Sequence, residues 1–440
     1  MIGGDDLETV NESMIDHDRV EKPQLTLMEL AFLFAFALGN GSLIGSYFLI
    51  TLPMEAKRMD KERAAMYLGG FVCIAGITQL ICPVVGLYSD RCNHKMGKRR
   101  PFLLYGGIAG VAGLYLQLIA RSYDMWFLYS IAFTISMLAL NTIYSSMNGL
   151  IPDHVAEAQT GKANGVIAML TVIGAISSFA VFHFVVHGLE GFYMFYMILV
   201  ASTVGISVTM AGQLESREAP MDKPNFPSVT IKDIRMAFYI SPVIHRDFFL
   251  ILVSRTLYYM GISSQTFLMY YVRDQLHMTD EEAEQYTAVL AVVGQCCGVL
   301  TALPVGMISD SSNTGRKKYI YFACAVMAIG NISFVMATAK SSVLIITCFI
   351  GAANGIYLTM DGSLAIDALP SKAEAARFLG IWGVGAFIGT ALGPLIGGPM
   401  LMFNTNVDGS YSIYGYMLLL CGSAVYLTLS AAVLQKTTVN

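Results

Sequence analysis

The chain has 440 residues, of which 55% are hydrophobic and only 13% charged, with a net charge of −4 and a mean hydropathy of +0.58. Ordinary soluble domains carry about twice that charged fraction, and a soluble chain this apolar would expose large sticky patches. Composition therefore excludes a typical soluble enzyme, a disordered chain and a collagen-like or disulfide-rich secreted fold, and the balance of charge gives no footprint for nucleic acid.

Residues 1–24 are polar and acidic (Asp5, Asp6, Glu8, Glu12, Asp16, Asp18, Glu21), with no basic region or cleavage pattern of a signal peptide. They predict a solvated tail. Apolar stretches of spanning length then recur to the end. They run about 27–51, 66–89, 102–120, 125–150, 164–186 and 191–213, then 248–271, 285–309, 319–339, 341–366, 378–403 and 411–434. Spans of roughly 20 residues suit a bilayer core. Every backbone polar group in lipid needs an internal partner, and the period-2 alternation of a barrel is absent, so all twelve are expected to be helices. The polar stretch 215–247, with Pro220, Pro224 and Pro227, divides the chain six plus six. The expected organisation is a tail (1–24), a six-helix bundle (25–214), a linker (215–247), a second six-helix bundle (248–435) and a short tail (436–440). Within the linker, Ser228 to Tyr239 fits a short amphipathic helix on the membrane surface.

Lys and Arg set the expected orientation. If the N-terminus is cytosolic, that side holds 19 of the 27 and the other side 7, with Arg255 inside a span. Both ends are therefore expected in the cytosol. Seven of the eight cysteines sit in apolar runs, only Cys92 in a polar loop, and no metal-ligand spacing occurs. No cofactor or metal is expected.

The halves repeat. Gly86-Leu-Tyr-Ser-Asp90-Arg91, followed by Gly97-Lys98-Arg99-Arg100, matches Gly306-Met-Ile-Ser-Asp310, followed by Gly315-Arg316, at an offset of 220 for the Gly-to-Asp element. Asp153 after span four matches Asp367 after span ten at an offset of 214. Two six-helix halves related by an axis along the membrane normal form a transporter plan. Glycine lets a neighbouring helix approach closely. Asp90 and Asp310 end helices, where an anion is unfavourable and needs a cationic or donor partner. Gly86, Asp90, Arg91, Gly97, Arg99, Arg100, Asp153, Gly306, Asp310, Gly315, Arg316 and Asp367 are therefore candidate gating residues. A basic cluster that only fixes topology is the alternative.

Gly86 to Phe102 is similar to the cytosolic loop motif of the major facilitator superfamily, especially to its form in plant sucrose transporters and the glycoside–cation symporters. Ile151-Pro-Asp153 with Gly161 to Gly165, and Asp361 to Trp382, also resemble superfamily loops. The resemblance implies the rocker fold, alternating access and proton coupling. The second copy lacks the Arg after Asp310, and Ser145-Ser146-Met147-Asn148 stands where span four of sucrose transporters carries Pro-Cys-Arg-Ala.

Ionisable groups at membrane depth are costly and mark function. Glu29 and His183 lie near span ends. Arg255 lies about 10 Å into span seven and Asp361 about 8 Å into span ten, counting 1.5 Å per residue. Their matched depths predict a pair, since an unpaired charge there is strongly unfavourable. Asn354, Tyr357 and Asp361 form one stripe of span ten, and Arg255, Tyr258 and Tyr259 a patch on span seven. Asn40, Gln79 and Asn148, together with Asn141, are uncharged polar groups in spans of the first half. Together these suit a small polar solute, sugar-like in class, with proton symport. A fixed structural ion pair is the alternative for Arg255 and Asp361. Gly385, Gly389, Gly393 and Gly397 repeat every four residues in span eleven and predict close helix contact. Thr279-x-x-Glu282 and Ser371-x-x-Glu374 read as capping boxes. No nucleophile elbow or phosphate loop points to an enzyme. The expected molecule is a monomeric secondary transporter in a lipid bilayer. A uniporter or exporter of another organic solute, or a transporter-fold sensor, is the alternative.

Overall fold

The computed structural model describes residues 24–156, 159–185, 188–217, 229–311, 315–369, 375–402, 405–406 and 410–438. Among them the chain is helical apart from one isolated bridge, Thr405 to Tyr411. Helix one is built of Leu27–Leu33, Phe36–Ser42, a π-helical stretch Leu43–Thr51 and Leu52–Met59. Helix two is Ala64–Thr78 with Ile81–Asp90. Helices three to six are Arg100–Ser122, Trp126–His154, Thr160–Phe184 and Leu189–Arg217. A linker helix, Ile231–Phe238, precedes helix seven. Helices eight to twelve are Asp280–Ser311, Lys317–Val335, Lys340–Asp367, Ala375–Met402 and Ile413–Leu434.

Eleven helices among the described residues are long and apolar enough to cross a membrane. Helix seven is the twelfth unit and is broken. Arg246–Ile262 passes through a 3-10 turn, Ser263–Phe267, into Leu268–Gln275, so neither helical piece spans alone. Sequence reading expected one continuous span over 248–271. It also ended span one at 51, whereas the helix runs on to Met59 and carries Lys57 and Arg58 in its last turn.

The molecule is an all-α membrane protein of two pseudo-symmetric six-helix bundles. Helix three packs on helices four and six as helix nine packs on ten and twelve. Helix two meets four as eight meets ten, and one meets five as seven meets eleven. Between bundles, helix two lies along eleven and helix five along eight, again a symmetric pair.

Glycine sets the closest approaches. A Cβ on Gly41 would run into the Thr171 backbone, and one on Gly174 into the Leu38 backbone, which joins helices one and five. On helix eleven, Gly385, Gly389 and Gly393 sit against Leu252, Thr256 and Ser263 of helix seven. Its other side, through Pro394 and Gly398, meets Gly69 and Ala65 of helix two. Thr279 and Glu282 cap helix eight reciprocally, at 3.0 and 3.3 Å. Ser371 and Glu374 lie outside the described residues. Glu29 is the partner of a capping box with Thr26 at the start of helix one.

Candidate functional site

A cavity of about 390 Å³ lies between the bundles. Helices one and five contribute Ile44, Phe48 and Phe179, and the second half contributes Tyr259, Gln265, Gln295 and Asn354. Among the described residues no Asp, Glu, Lys, Arg or His side chain lines it. The 3-10 break in helix seven opens directly onto it, since Ser263, Ser264, Gln265, Thr266 and Phe267 all reach the wall. Such breaks put irregular backbone at membrane depth only where it lines a cavity or is buried in protein.

One side chain behind that wall, helices seven and ten are joined rung by rung. The Arg255 Nη1 donates to Asp361 Oδ2. Both are buried, 7% and 2% exposed, so each supplies the counter-charge the other needs. The guanidinium also lies over the Trp382 ring of helix eleven, 3.4 Å from its centroid, and 4.9 Å from that of Tyr259, both cation–π contacts. Its Nη2 donates weakly to Tyr259 Oη at 3.4 Å. One turn on, Tyr258 stacks on Tyr357 with centroids 3.3 Å apart, and its hydroxyl donates to Asn354 Oδ1 at 2.6 Å. Buried Tyr and Asn would otherwise leave polar groups unpaired.

The sequence-predicted residues thus divide. Tyr259 and Asn354 reach the cavity wall. Arg255, Asp361, Tyr258 and Tyr357 are buried between helices. Asn40, Gln79 and Asn148 are half-buried and off the cavity wall. His183 falls outside the residues whose side chains are described.

At the face carrying the repeated loops, here the motif face, Arg99 is the hub. Its side chain is 7% exposed and its Nε donates to Asp153 Oδ2 at 2.8 Å. Its other nitrogens donate to Asp90 and Ser89. Gly149 makes room, because a Cβ there would lie 2.6 Å from the guanidinium carbon. Arg100 pairs with Glu215 at 3.2 Å. Gly97 has φ of +88°, where a side chain is strained, and lies against the same carboxylate. Arg91 reaches Asp233 of the linker helix at 2.9 Å. There the Thr230 backbone N–H, the Thr230 hydroxyl and Arg91 hold the Asp233 carboxyl below its usual range. In the second half Arg316 pairs with Asp367 at 2.7 Å and donates to the Ser363 carbonyl at 2.7 Å. Arg316–Asp367 thus repeats Arg99–Asp153. Gly315 leads into helix nine, and Gly306 and Asp310 lie on helix eight outside the residues whose side chains are described. Among the described residues nothing beyond its own helix lies within 4 Å of a Cβ built on Gly86, so the close helix approach expected there is not found.

The two halves meet instead at the far face. A Cβ on Gly76 would lie 2.6 Å from Ala391, and Gly69 and Gly398 fit equally tightly. The Tyr270 hydroxyl donates to the Pro53 carbonyl at 2.8 Å, and the Ala65 N–H to the Tyr411 hydroxyl at 2.8 Å. Lys57 pairs with Asp280, the one ion pair among the described residues that joins the bundles directly. Sequence reading missed these contacts. It also missed a buried network in the first half, where Tyr47 donates to Gln117 at 2.6 Å, Gln117 to Ser136 at 2.7 Å, and Tyr129 bonds Tyr193 at 2.7 Å. The lone Gln in span three and the tyrosines at matching depths were the available signal.

The family model described as Major Facilitator Superfamily matches residues 16–179 and 251–438. Among curated proteins, the chain is 29% identical over 133 residues to the sucrose transport protein SUC3 of Arabidopsis thaliana, covering 25% of this chain and 22% of that one. It is 26% identical over 150 residues to the general alpha-glucoside permease of Schizosaccharomyces pombe, covering 30% and 27%. The chain thus matches about a quarter of the length of these relatives. Among solved structures, the nucleoside transporter NupG (D323A mutant) superposes with a TM-score of 0.66 at 14% identity, covering 93% of this chain and 99% of that one. A bacterial homologue of the human lysosomal transporter Spinster, inward-facing and occupied, gives 0.64 at 14% identity over 93% and 95%.

Proposed function

The chain belongs to the Major Facilitator Superfamily, and from that premise we propose that it is a secondary active transporter. It moves a small uncharged polar solute, a sugar or glycoside in class, across a bilayer by alternating access with proton symport. The observation that carries this reading is a cavity between the halves with no charged side chain among the described residues of its wall and one buried ion pair directly behind it. An uncompensated charge on the solute would be strongly disfavoured there. The partial matches to a sucrose transport protein and an alpha-glucoside permease point the same way.

In this reading the motif face is cytosolic, by the positive-inside count, and the cavity opens inward while the far face is closed. A proton reaching Asp361 neutralises it and frees Arg255 from the carboxylate. Arg255 stays held by Trp382 and Tyr259, and Tyr259 passes the change to the cavity wall. Arg99 with Asp90 and Asp153, and Arg316 with Asp367, keep the ends of each bundle rigid while the bundles tilt.

The test is uptake into proteoliposomes of sucrose, maltose and simple glucosides, with and without an inward proton gradient. Asp361→Asn is expected to abolish accumulation while keeping exchange. Unchanged gradient-driven uptake in that variant refutes the proton role. One observation favours a second reading of the pair: neither partner reaches the cavity wall. If Arg255 and Asp361 are purely structural, exchanging the two residues restores both folding and transport.

A further inference from the structure

The cavity wall is not uniform. The face from the first half consists of Ile44, Phe48, Leu49, Val172, Ala175 and Phe179, with glycines between. Its one hydroxyl among the described residues, on Thr171, donates to the Ile167 carbonyl of its own helix at 2.8 Å. The face from the second half is mixed: it carries polar groups such as Tyr259, Gln265, Gln295 and Asn354 among apolar ones such as Ile262, Phe267 and Leu290. Gln265 and Gln295 are exposed. Asn354 gives its carbonyl to Tyr258 at 2.6 Å, which leaves its NH2 as a donor.

One apolar face and one face that holds nearly all the polar groups constrain what fits between them. A solute with hydroxyls all round would turn some of them towards Phe48 and Phe179, away from any partner. Each such unpaired group costs about tenfold in affinity. An apolar group in the same place gains instead by leaving water. The volume of about 390 Å³ falls in the range of small-molecule pockets, about 300–1,000 Å³.

We propose that the cavity binds an uncharged two-faced solute, its hydroxylated ring against Gln265, Gln295 and Asn354 and an apolar ring or short chain against Phe48 and Phe179. This rests on reading the cavity as the transport cavity and narrows the solute within that reading.

The test is calorimetric titration of the purified full-length protein with D-glucose, maltose, phenyl β-D-glucoside, phenyl β-D-glucuronide and thymidine, an uncharged two-faced solute that is not a sugar glycoside of this kind. Phenyl glucoside is expected to bind at least tenfold more tightly than glucose or maltose, and at least tenfold more tightly than the charged glucuronide. Phe48→Ser is expected to shrink the advantage of phenyl glucoside over glucose below about threefold. Phe48→Leu, which keeps the wall apolar, is expected to retain most of it. Gln295→Leu is expected to weaken phenyl glucoside and glucose by similar factors. Unliganded melting curves exclude variants that fail to fold, and Phe179→Ser then replaces Phe48→Ser. Equal affinity for maltose and phenyl glucoside, tight binding of the glucuronide, or no binding of any probe overturns the proposal. Tight binding of thymidine with weak binding of every glucoside supports the two-faced site and instead refutes the sugar reading of the transported solute.

Discussion

The two bundles share a frame and differ in where they keep charge. At the motif face each has an Arg–Asp clamp, Arg99 to Asp153 at 2.8 Å and Arg316 to Asp367 at 2.7 Å. The first clamp is buried and the second 26% exposed at its arginine. Deeper in, the likeness ends. At the offset of 214 that aligns helices four and ten, Asp361 corresponds to Met147, and the stretch of helix one facing the depth of Arg255 reads Phe36-Ala37-Leu38-Gly39. The first bundle fills the middle of its interior with neutral Tyr, Gln and Ser and keeps its buried Glu55–Arg121 pair at the far ends of helices one and three, whereas the second holds Arg255–Asp361 beside the cavity. The same bundle also supplies the hydroxyl and amide wall of the cavity. On a shared scaffold, one bundle thus carries the ion pair nearest the cavity and most of the polar side chains on its wall.

The contrast is broken most forcefully at Asp361. Replacing it with Leu leaves Arg255 buried and unpaired, at an expected cost of about 3–5 kcal/mol. The double variant Arg255→Leu, Asp361→Leu should recover most of the melting temperature without recovering gradient-driven uptake. A double variant as unstable as the single one would contradict the pairing. Next comes the inequality of the clamps. Arg99→Ala removes a buried donor from Ser89, which is buried, from Asp153, which is partly so, and from the exposed Asp90, at about 2 kcal/mol, whereas Arg316→Ala in a more exposed pair should cost about 1 kcal/mol or less. Equal shifts in thermal melts would erase the distinction between the clamps.

A smaller effect is expected where the bundles meet. Gly76→Leu collides with Ala391 and Phe387, and the strain, about 1–3 kcal/mol, is relieved if the far face opens. Labelling of a cysteine placed at Tyr411 should rise several-fold, and unchanged labelling would show that the contact is not closed in the resting protein. The smallest effect concerns the linker. The Asp233 carboxyl is depressed first by its bonds with Thr230 and then by Arg91. A depressed carboxylate stabilises above its unfolded pKa, about 3.9, and that contribution is lost as pH falls through the folded value. Protection of the amides over 229–240, taken against the intrinsic exchange rate at each pH, should therefore not change between pH 7 and pH 5 and should fall only in stronger acid. Protection lost near pH 6 would assign the attachment to another group.

The charged partners were legible in the sequence because charge at membrane depth must be paired. Arg255 with Asp361 followed from matched depth, and the repeat located both clamps. What stayed hidden was which way neutral residues face. Helices buried nearly all round lack the single apolar stripe that betrays orientation, so neither the apolar wall at Phe48 nor the Tyr47–Gln117 network could be placed. Lys57 with Asp280 was lost for a different reason. The last turn of helix one is polar and read as loop, although the helix continues to Met59.

The chain has two tryptophans, and each bundle owns one with a guanidinium over its ring: Arg58 lies 5.7 Å from the Trp126 centroid and Arg255 3.4 Å from that of Trp382. The protein therefore carries its own optical probe. With Trp126 changed to Phe, the remaining indole emission reports on the surroundings of Arg255 alone, and protons or solutes that disturb that cation will register as a change in brightness or colour without any attached dye.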